Sequence, residues 1–571
     1  MFNCIYYFCL CLCTVNSIGC GLTVVYPHHE SDPQADLLHL THLMTLQSNR
    51  GQDGIGISAI RYHSDTMYIN TVHAINDDAL EKVSHTIEQK LRHNYTNESL
   101  KKVAYIGHIR YSTYAGIAEE YCQPIVHSTK SSLCLAGNFN ITNSADVCTF
   151  LHKKGIDTLP ESDTGIIIEL INYFWDQESK DTIDHIRVLK KTTELLDGGY
   201  VFAGCFPDGT LFVYRDPAGI RPCFCYTTDT HTIIASERSA IQEVYACSFD
   251  EIKALEPGHL ILIASDSTYI QTRLHDVIPA RHCIFEQIYF SCAKDPIIYA
   301  QRKELGMHVA ASVLEALQGN TQNVIFTYVP NTSYTAFCGM IEEIERLKEC
   351  TIQSIQLLQK NKQKRTFISS SATRQEIVSS IYEYSAYPIT PDDTIVILDD
   401  SIVRGTTMRH IIQQLAQLNP KKIIVVSATP PIMYPDCYGI DISQIGQLIA
   451  FQAAISILQK NGNQYLLDAI AKQAYNNISS TQKSDRDILH QLYHHIDKKS
   501  LEMEIANLLY PHSGWQGELH VMYQTLDGLY TSMPGYTGDW YFTGNYPTPG
   551  GYKVLDRSYL QWYQGIDNRA Y

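Results

Sequence analysis

The stretch Ile395-Val396-Ile397-Leu398-Asp399-Asp400-Ser401-Ile402-Val403-Arg404-Gly405-Thr406-Thr407 decides the reading of the fold. Its first four residues have the length and β-branching of a buried strand, and the apolar positions Met408, Ile411, Ile412, Leu415 and Leu418 predict a helix. A hydroxyl-rich loop with one glycine therefore joins strand to helix. Backbone N–H groups of Arg404, Gly405, Thr406 and Thr407, the two threonine hydroxyls and the positive helix end would cradle a phosphate dianion. Asp399 and Asp400, at the carboxyl end of the strand, would face sugar hydroxyls or a hard cation. A lone Asp-Asp pair is more simply a solvated turn. The ordered string of thirteen residues carries the ligand-binding reading.

The chain has 571 residues, long for a single core, so two domains and an extension are expected. A net charge of −16 with no offsetting basic tract argues against nucleic acid or an anionic membrane as partner and favours small ligands. Four of the seventeen cysteines lie in the first thirteen residues, and the others are scattered without CxxC pairs. That pattern suits a reducing, cytoplasmic setting without a disulfide framework or structural zinc. Residues 1–19, MFNCIYYFCLCLCTVNSIG, form an apolar leader or propeptide lacking a basic n-region, and their removal would leave Cys20 at the N-terminus. A terminal cysteine carries its own base, because its α-amine can accept the thiol proton. A buried structural thiol is the simpler reading of Cys20 taken alone.

The string DDSIVRGTT resembles the signature of type I phosphoribosyltransferases in the form used by glutamine phosphoribosylpyrophosphate amidotransferases. In the N-terminal half, Asn49-Arg50-Gly51-Gln52-Asp53-Gly54, Gly107-His108-Ile109-Arg110-Tyr111-Ser112-Thr113, Gly137-Asn138-Phe139-Asn140-Ile141-Thr142-Asn143 and Ser162-Asp163-Thr164 follow Cys20 in an order similar to that of class II, N-terminal-nucleophile glutaminases. The resemblance implies an αββα sandwich over residues 20–285. A type I phosphoribosyltransferase domain with a parallel sheet (286–455) and a helical, aromatic-rich C-terminal extension (456–571) would follow, giving an α/β and α+β protein. The implied activity is glutamine-dependent amination of 5-phosphoribosyl 1-pyrophosphate to 5-phosphoribosylamine, a pentosyl transfer opening purine synthesis.

By the same resemblance Cys20 is the nucleophile. The Asn138 amide and Phe139 N–H form the oxyanion hole, Arg110 clamps the glutamine carboxylate and Asp163 its amine. Asp399, Asp400, Ser401, Arg404 to Thr407 and Arg365 bind phosphoribosylpyrophosphate, and Ser333, Asp399 and Asp400 hold Mg²⁺. Purine nucleotides as feedback ligands and a homo-oligomer are also implied. Two departures stand out: Phe139 occupies a usual glycine and Asn331 a usual acid. They motivate an alternative, a non-catalytic phosphoribosylpyrophosphate sensor in which an uncleaved leader blocks Cys20. Some members hold an iron-sulfur cluster on four cysteines. Here Cys283 matches one, but Asp436 and the string Asp539-Trp540-Tyr541-Phe542-Thr543-Gly544 stand where others would be, so no cluster is expected. The run Cys283 to Phe290 suits a buried strand between the domains. The aromatic tail Tyr510 to Tyr571, with ten tyrosines and three of the four tryptophans, suits a wrap over a core or a subunit contact.

Overall fold

A computed structural model describes residues 19–570 except 64–65, 77, 95–101, 112–118, 128–131, 157–161, 180–182, 350, 361–381, 386, 441, 480–486, 513 and 569. The strand Gly21–Pro27 begins directly after Cys20 and is buried along its length. Its residues alternate in direction, Leu22 and Val24 to one side and Val25 to the other, as a sheet covered on both faces requires. It lies at the centre of a seven-stranded sheet among the described residues, in the spatial order Lys253–Ala254, Phe224–Thr227, His231–Ala235, Gly21–Pro27, Ala104–Arg110, Gly54–His63 and Thr66–Ala74. A six-stranded sheet follows the order Tyr269–Arg273, His259–Ile263, Leu211–Arg215, Gly198–Cys205, Leu133–Ile141 and Ile125–His127.

The two sheets are antiparallel and stack through Leu22, Val24, Ile106, Ala136, Val201 and Val213. Helices Pro33–Leu46 and Ala79–Asn94 cover the outer face of the first, through Leu40, Leu43, Val83 and Ile87. Helices Ser144–Lys153, Asp163–Trp175 and His185–Thr193 cover the second, through Leu151, Ile167 and Val188. This is the expected four-layer αββα arrangement.

The second half is built on a parallel sheet in the order Val324–Tyr328, Thr394–Asp399, Lys422–Ser427 and Glu518–Tyr523. The interiors of its central strands, Ile395 to Leu398 and Ile423 to Val426, are apolar, as burial on both faces demands. The last strand comes from the C-terminal extension and pairs Ile424 with His520. Sequence reading missed it because Glu518-Leu519-His520-Val521 is a half-exposed edge strand with charged and polar positions. Trp515, Trp540, Tyr541 and Tyr559 are buried in the core of that sheet, so the aromatic tail is part of it.

The junction departs from expectation. Cys283 makes only an isolated bridge with Gly538, and Glu286–Phe290 is a helical turn. A short apolar run does not distinguish strand from helix by period. The turn is settled by Arg302, whose guanidinium donates to Gln287 O at 2.8 Å and Ser291 O at 2.7 Å. At the same junction Arg50 donates to Glu237 at 2.6 Å and Glu286 at 3.1 Å, and Arg221 donates to Glu286 at 3.0 Å and to the Tyr438 carbonyl.

Trp540 is fully buried, packs edge-on against Tyr438 and donates its indole N–H to Asp436 at 3.0 Å. Replacing it with alanine is expected to cost about 3–5 kcal/mol of unfolding free energy, read by urea denaturation, because it opens a cavity and strips a buried carboxylate of a donor.

Candidate functional site

Pairing of Gly21 with Ile109 and Leu22 with His108 sets Cys20 at the level of Arg110 on the neighbouring strand. Cys20, Arg110, Tyr111, Phe139, Ile141 and Asp163 all line one cavity of about 550 Å³. The Cys20 thiol faces the Tyr111 carbonyl at 3.9 Å. Burial pushes that thiol above its ordinary range, and the Arg110 and Arg221 charges act against the rise. Arg110 lies over the Tyr121 ring, 5.5 Å from its centre. Gly51 is required beside it: a Cβ there would meet the Arg110 carbonyl oxygen at 2.5 Å.

Asp163 opens the helix Asp163–Trp175, whose N-terminus is capped by the Ser162 hydroxyl, and its carboxylate accepts from Ile141 N at 3.0 Å. A cation and an anion thus stand in one cavity with a half-buried thiol, the complement of a zwitterion with a reactive neutral group. Asn138 is 3 % exposed and is not a lining residue of the cavity, although Phe139 beside it is. Its side-chain Nδ2 is buried without an acceptor among the described residues.

Residues that sequence reading did not single out also shape the cavity. Gln123 accepts from Gly137 N at 2.8 Å, and Ser144, Cys148 and His152 line the wall from helix Ser144–Lys153. No local signal marks them, because only the packing of that helix brings them to the cavity. His108 joins the two sheets through Nε2 and the Gly137 carbonyl at 3.1 Å.

In the second half, Asp399 ends its strand, and Asp400 follows with its N–H on the Asp399 carboxylate at 2.9 Å. The Ser401 hydroxyl donates to Asp400 at 3.1 Å. Burial pushes both carboxyls up; for Asp399 the Asp400 charge adds to the rise, while at Asp400 the Ser401 hydroxyl and Arg302 oppose it. A buried carboxylate, Asp400, beside a half-buried one, Asp399, that repels it is a site short of positive charge. Two hard oxygen donors suit a magnesium ion that completes its shell with substrate phosphates and water. Among the described residues no group of three or more His, Cys, Asp or Glu side chains is arranged to hold a metal. Ser333 is fully buried, and its hydroxyl donates to the Val329 carbonyl.

The loop after Ser401 turns at Gly405, whose φ of +72° is left-handed, and a Cβ there would meet Ile449 Cδ1 at 2.4 Å. Helix Thr406–Ala416 starts at once with no side-chain cap, leaving its first N–H groups directed at the loop. Arg404 is held by Gln447 at 2.7 Å, while Thr406 is exposed and Thr407 half-buried. Arg365 lies outside the described residues, in the 361–381 segment carried by the hairpin Leu358–Lys360 and Tyr382–Tyr384. The Tyr289 hydroxyl of the junction turn is pushed up by burial and by the Asp400 and Asp399 charges, with Tyr111 of the first cavity also within electrostatic reach.

Cys283 and Asp436, which stand at two of the positions that would hold a cluster, each pair with an aromatic side chain of the string Asp539 to Gly544. Cys283 Sγ lies 2.7 Å from the Tyr541 hydroxyl, and Asp436 accepts from Trp540. Among the described residues no helix is long and apolar enough to cross a membrane.

Residues 108–243 match the family model of a glutamine amidotransferase domain. The chain is 29 % identical over 451 residues to an amidophosphoribosyltransferase of Bacillus subtilis, covering 77 % of this chain and 85 % of that protein. It is 28 % identical over 451 residues to one of Methanocaldococcus jannaschii, covering 76 % and 88 %. Its fold is similar to that of the B. subtilis glutamine phosphoribosylpyrophosphate amidotransferase solved with ADP and GMP, with a TM-score of 0.62, 23 % identity, and coverage of 92 % of this chain and 97 % of that one. A second solved structure, described as the allosteric regulatory enzyme of purine biosynthesis, matches with a TM-score of 0.64 at 24 % identity, covering 92 % and 96 %.

Burial holds His108 neutral by lowering its pKa from 6.5 to about 3. The unfolded chain therefore binds one more proton than the folded one between these values. Stability is full above pH 6.5 and should fall by about 1.4 kcal/mol per pH unit from this group as pH drops toward 3. Urea denaturation across that range should show a shallower decline for His108→Gln; an unchanged slope would refute the assignment.

Proposed function

We infer that the chain is a member of the amidophosphoribosyltransferase family and makes 5-phosphoribosylamine, glutamate and pyrophosphate from glutamine, water and 5-phosphoribosyl 1-pyrophosphate, the first step of de novo purine synthesis. The observation that carries this reading is the presence in one chain of a thiol cavity flanked by Arg110 and Asp163 and of a phosphate loop beside paired aspartates. The first cavity is complementary to glutamine. Arg110 binds its carboxylate and Asp163 its amine, which places the side-chain amide at Cys20. The second site offers N–H groups to a phosphate and acids to a sugar.

In this reading residues 1–19 are removed and the new α-amine accepts the Cys20 proton, which the buried thiol would otherwise keep. The thiolate attacks the amide carbon. The oxyanion is met by the Phe139 N–H and the unpartnered Asn138 amide. Collapse breaks the C–N bond and releases ammonia, and water then hydrolyses the thioester to glutamate. The ammonia would pass to the second site within the protein. Ammonia attacks the ribosyl carbon, the C–O bond to pyrophosphate breaks, and a proton is lost from nitrogen.

Asp399, Asp400 and Ser333 would hold Mg²⁺, which would offset the charge of the leaving pyrophosphate. The phosphate end is held by Ser401, Arg404, Gly405, Thr406 and Thr407, with Arg365, which lies outside the described residues, as a further binding residue. On the same reading residues 20–285 form the glutaminase, 286–455 the transferase, and 456–571 the extension. The protein would work in the cytoplasm as a homo-oligomer under purine-nucleotide feedback, without an iron-sulfur cluster. No observation favours the non-catalytic sensor.

Intact-mass analysis of the protein made in its own host should give a chain beginning at Cys20 that releases pyrophosphate with glutamine. Cys20→Ala should lose glutamine-dependent release yet keep release driven by ammonium, while Asp400→Asn should lose both. Asn138→Ala should lower glutamine-dependent kcat about 10²–10³-fold. Absence of release from either nitrogen donor in the processed chain would refute the enzyme reading.

A further inference from the structure

Strand Leu133–Ile141, which carries Asn138 and Phe139, is held at its end by a carboxylate from a distant part of the chain. Thr142 N donates to the Asp197 carbonyl at 2.8 Å, and Asp197 N donates to the Asn143 side chain at 2.9 Å. The Thr142 hydroxyl donates to the Asp197 carboxylate at 2.5 Å. Close approach here depends on Gly198, whose φ is +145° and whose added Cβ would lie 2.2 Å from the Asn140 carbonyl oxygen.

The same carboxylate also receives the C-terminal tail. The Thr548 hydroxyl donates to Asp197 at 2.5 Å, and Gly550 N donates to it at 3.0 Å. Helix Pro549–Tyr563 has no cap from its own Thr548, so its first free N–H is satisfied across the molecule, by Asp197. Contact is tight: a Cβ on Gly550 would fall 2.0 Å from the Thr142 hydroxyl and 2.4 Å from the Asp197 carboxylate. The far side of this helix is buried in the core of the second half through Val554, Leu555 and Tyr559. Asn140, on the same strand, donates to the Cys437 carbonyl of that half at 2.5 Å.

We propose that Asp197 is a positioning residue for glutamine chemistry, clamping the tail helix to the end of the oxyanion strand so that docking of the C-terminal extension sets the geometry of the Cys20 cavity. Ile141 N, one residue before Thr142, is the donor to Asp163 in that cavity. A slip of the strand end therefore moves both the oxyanion donors and the group that would bind the glutamine amine. This inference rests on the functional reading above, and its test separates the two.

Thr548→Val removes the donor, Thr548→Ser keeps it, and Gly550→Ala blocks the approach. Pyrophosphate release is measured with glutamine and with ammonium, alongside the rate at which a diazoketone analogue of glutamine alkylates Cys20. Thr548→Val and Gly550→Ala should lower glutamine-dependent kcat/KM on the order of ten- to hundredfold and slow alkylation in parallel. Thr548→Ser should restore both, with the ammonium-dependent rate unchanged in all three. Unaltered glutamine use in Thr548→Val and Gly550→Ala, or an equal fall with both nitrogen donors, would overturn the proposal. If the parent chain releases pyrophosphate from neither donor, the functional reading fails, and alkylation alone decides the clamp: slower in Thr548→Val and restored in Thr548→Ser supports it, equal rates refute it.

Discussion

Two arginines and two glutamates, shut away from water, hold the halves of this protein in register. Glu237, Arg50, Glu286 and Arg221 form one chain of ion pairs in which every side chain is at most 3 % exposed. Burial works against the charge on Arg50, but Glu237 and Glu286 more than offset it and raise its pKa further. Such a chain is a poor source of net stability, since each ion gives up its hydration, yet removing one member leaves a charge stranded at a cost of about 3–5 kcal/mol. Its members come from the loop after the first helix, the turn after strand His231–Ala235, the loop before strand Phe224–Thr227 and the junction turn. The present arrangement of those four segments pairs all four groups, and Glu286 ties the junction turn to Arg50 and Arg221 of the first half.

That placement has chemical consequences. Arg221 reaches the Tyr438 carbonyl on one side and contributes to the field at Cys20 on the other. The junction turn that carries Glu286 also carries Tyr289, which feels the Asp399 and Asp400 carboxylates. A sandwich whose Cys20 thiol lies at the end of its central strand is thereby brought against a parallel sheet whose acids lie at the carboxyl ends of its strands, where ligands of α/β sheets bind.

The C-terminal extension closes the second half in two ways. Strand Glu518–Tyr523 adds to the sheet edge, and Leu509, at the end of helix Lys498–Leu509, packs with Ile449 against Gly405 in the loop after Ser401. Around the junction, Trp540 and Tyr541 occupy the surroundings of Asp436 and Cys283 with hydrogen bonds and aromatic packing. Here a dry, hydrogen-bonded aromatic cluster joins the tail to the domain junction.

The amino-acid sequence by itself determined the elements whose signals are local. Strand Thr394–Asp399, the glycine turn and helix Thr406–Ala416 follow from an apolar run, a residue free to adopt positive φ and a period near 3.6, each legible within a dozen residues. Only the tertiary structure decided the junction turn, the strand lent by the tail, the lining of the thiol cavity from Gln123 and helix Ser144–Lys153, and the sharing of Asp197 between Thr142 and Thr548. The physical reason is range: these features satisfy buried polar groups with partners tens to hundreds of residues away, and no periodicity or turn propensity records which distant donor will meet which acceptor.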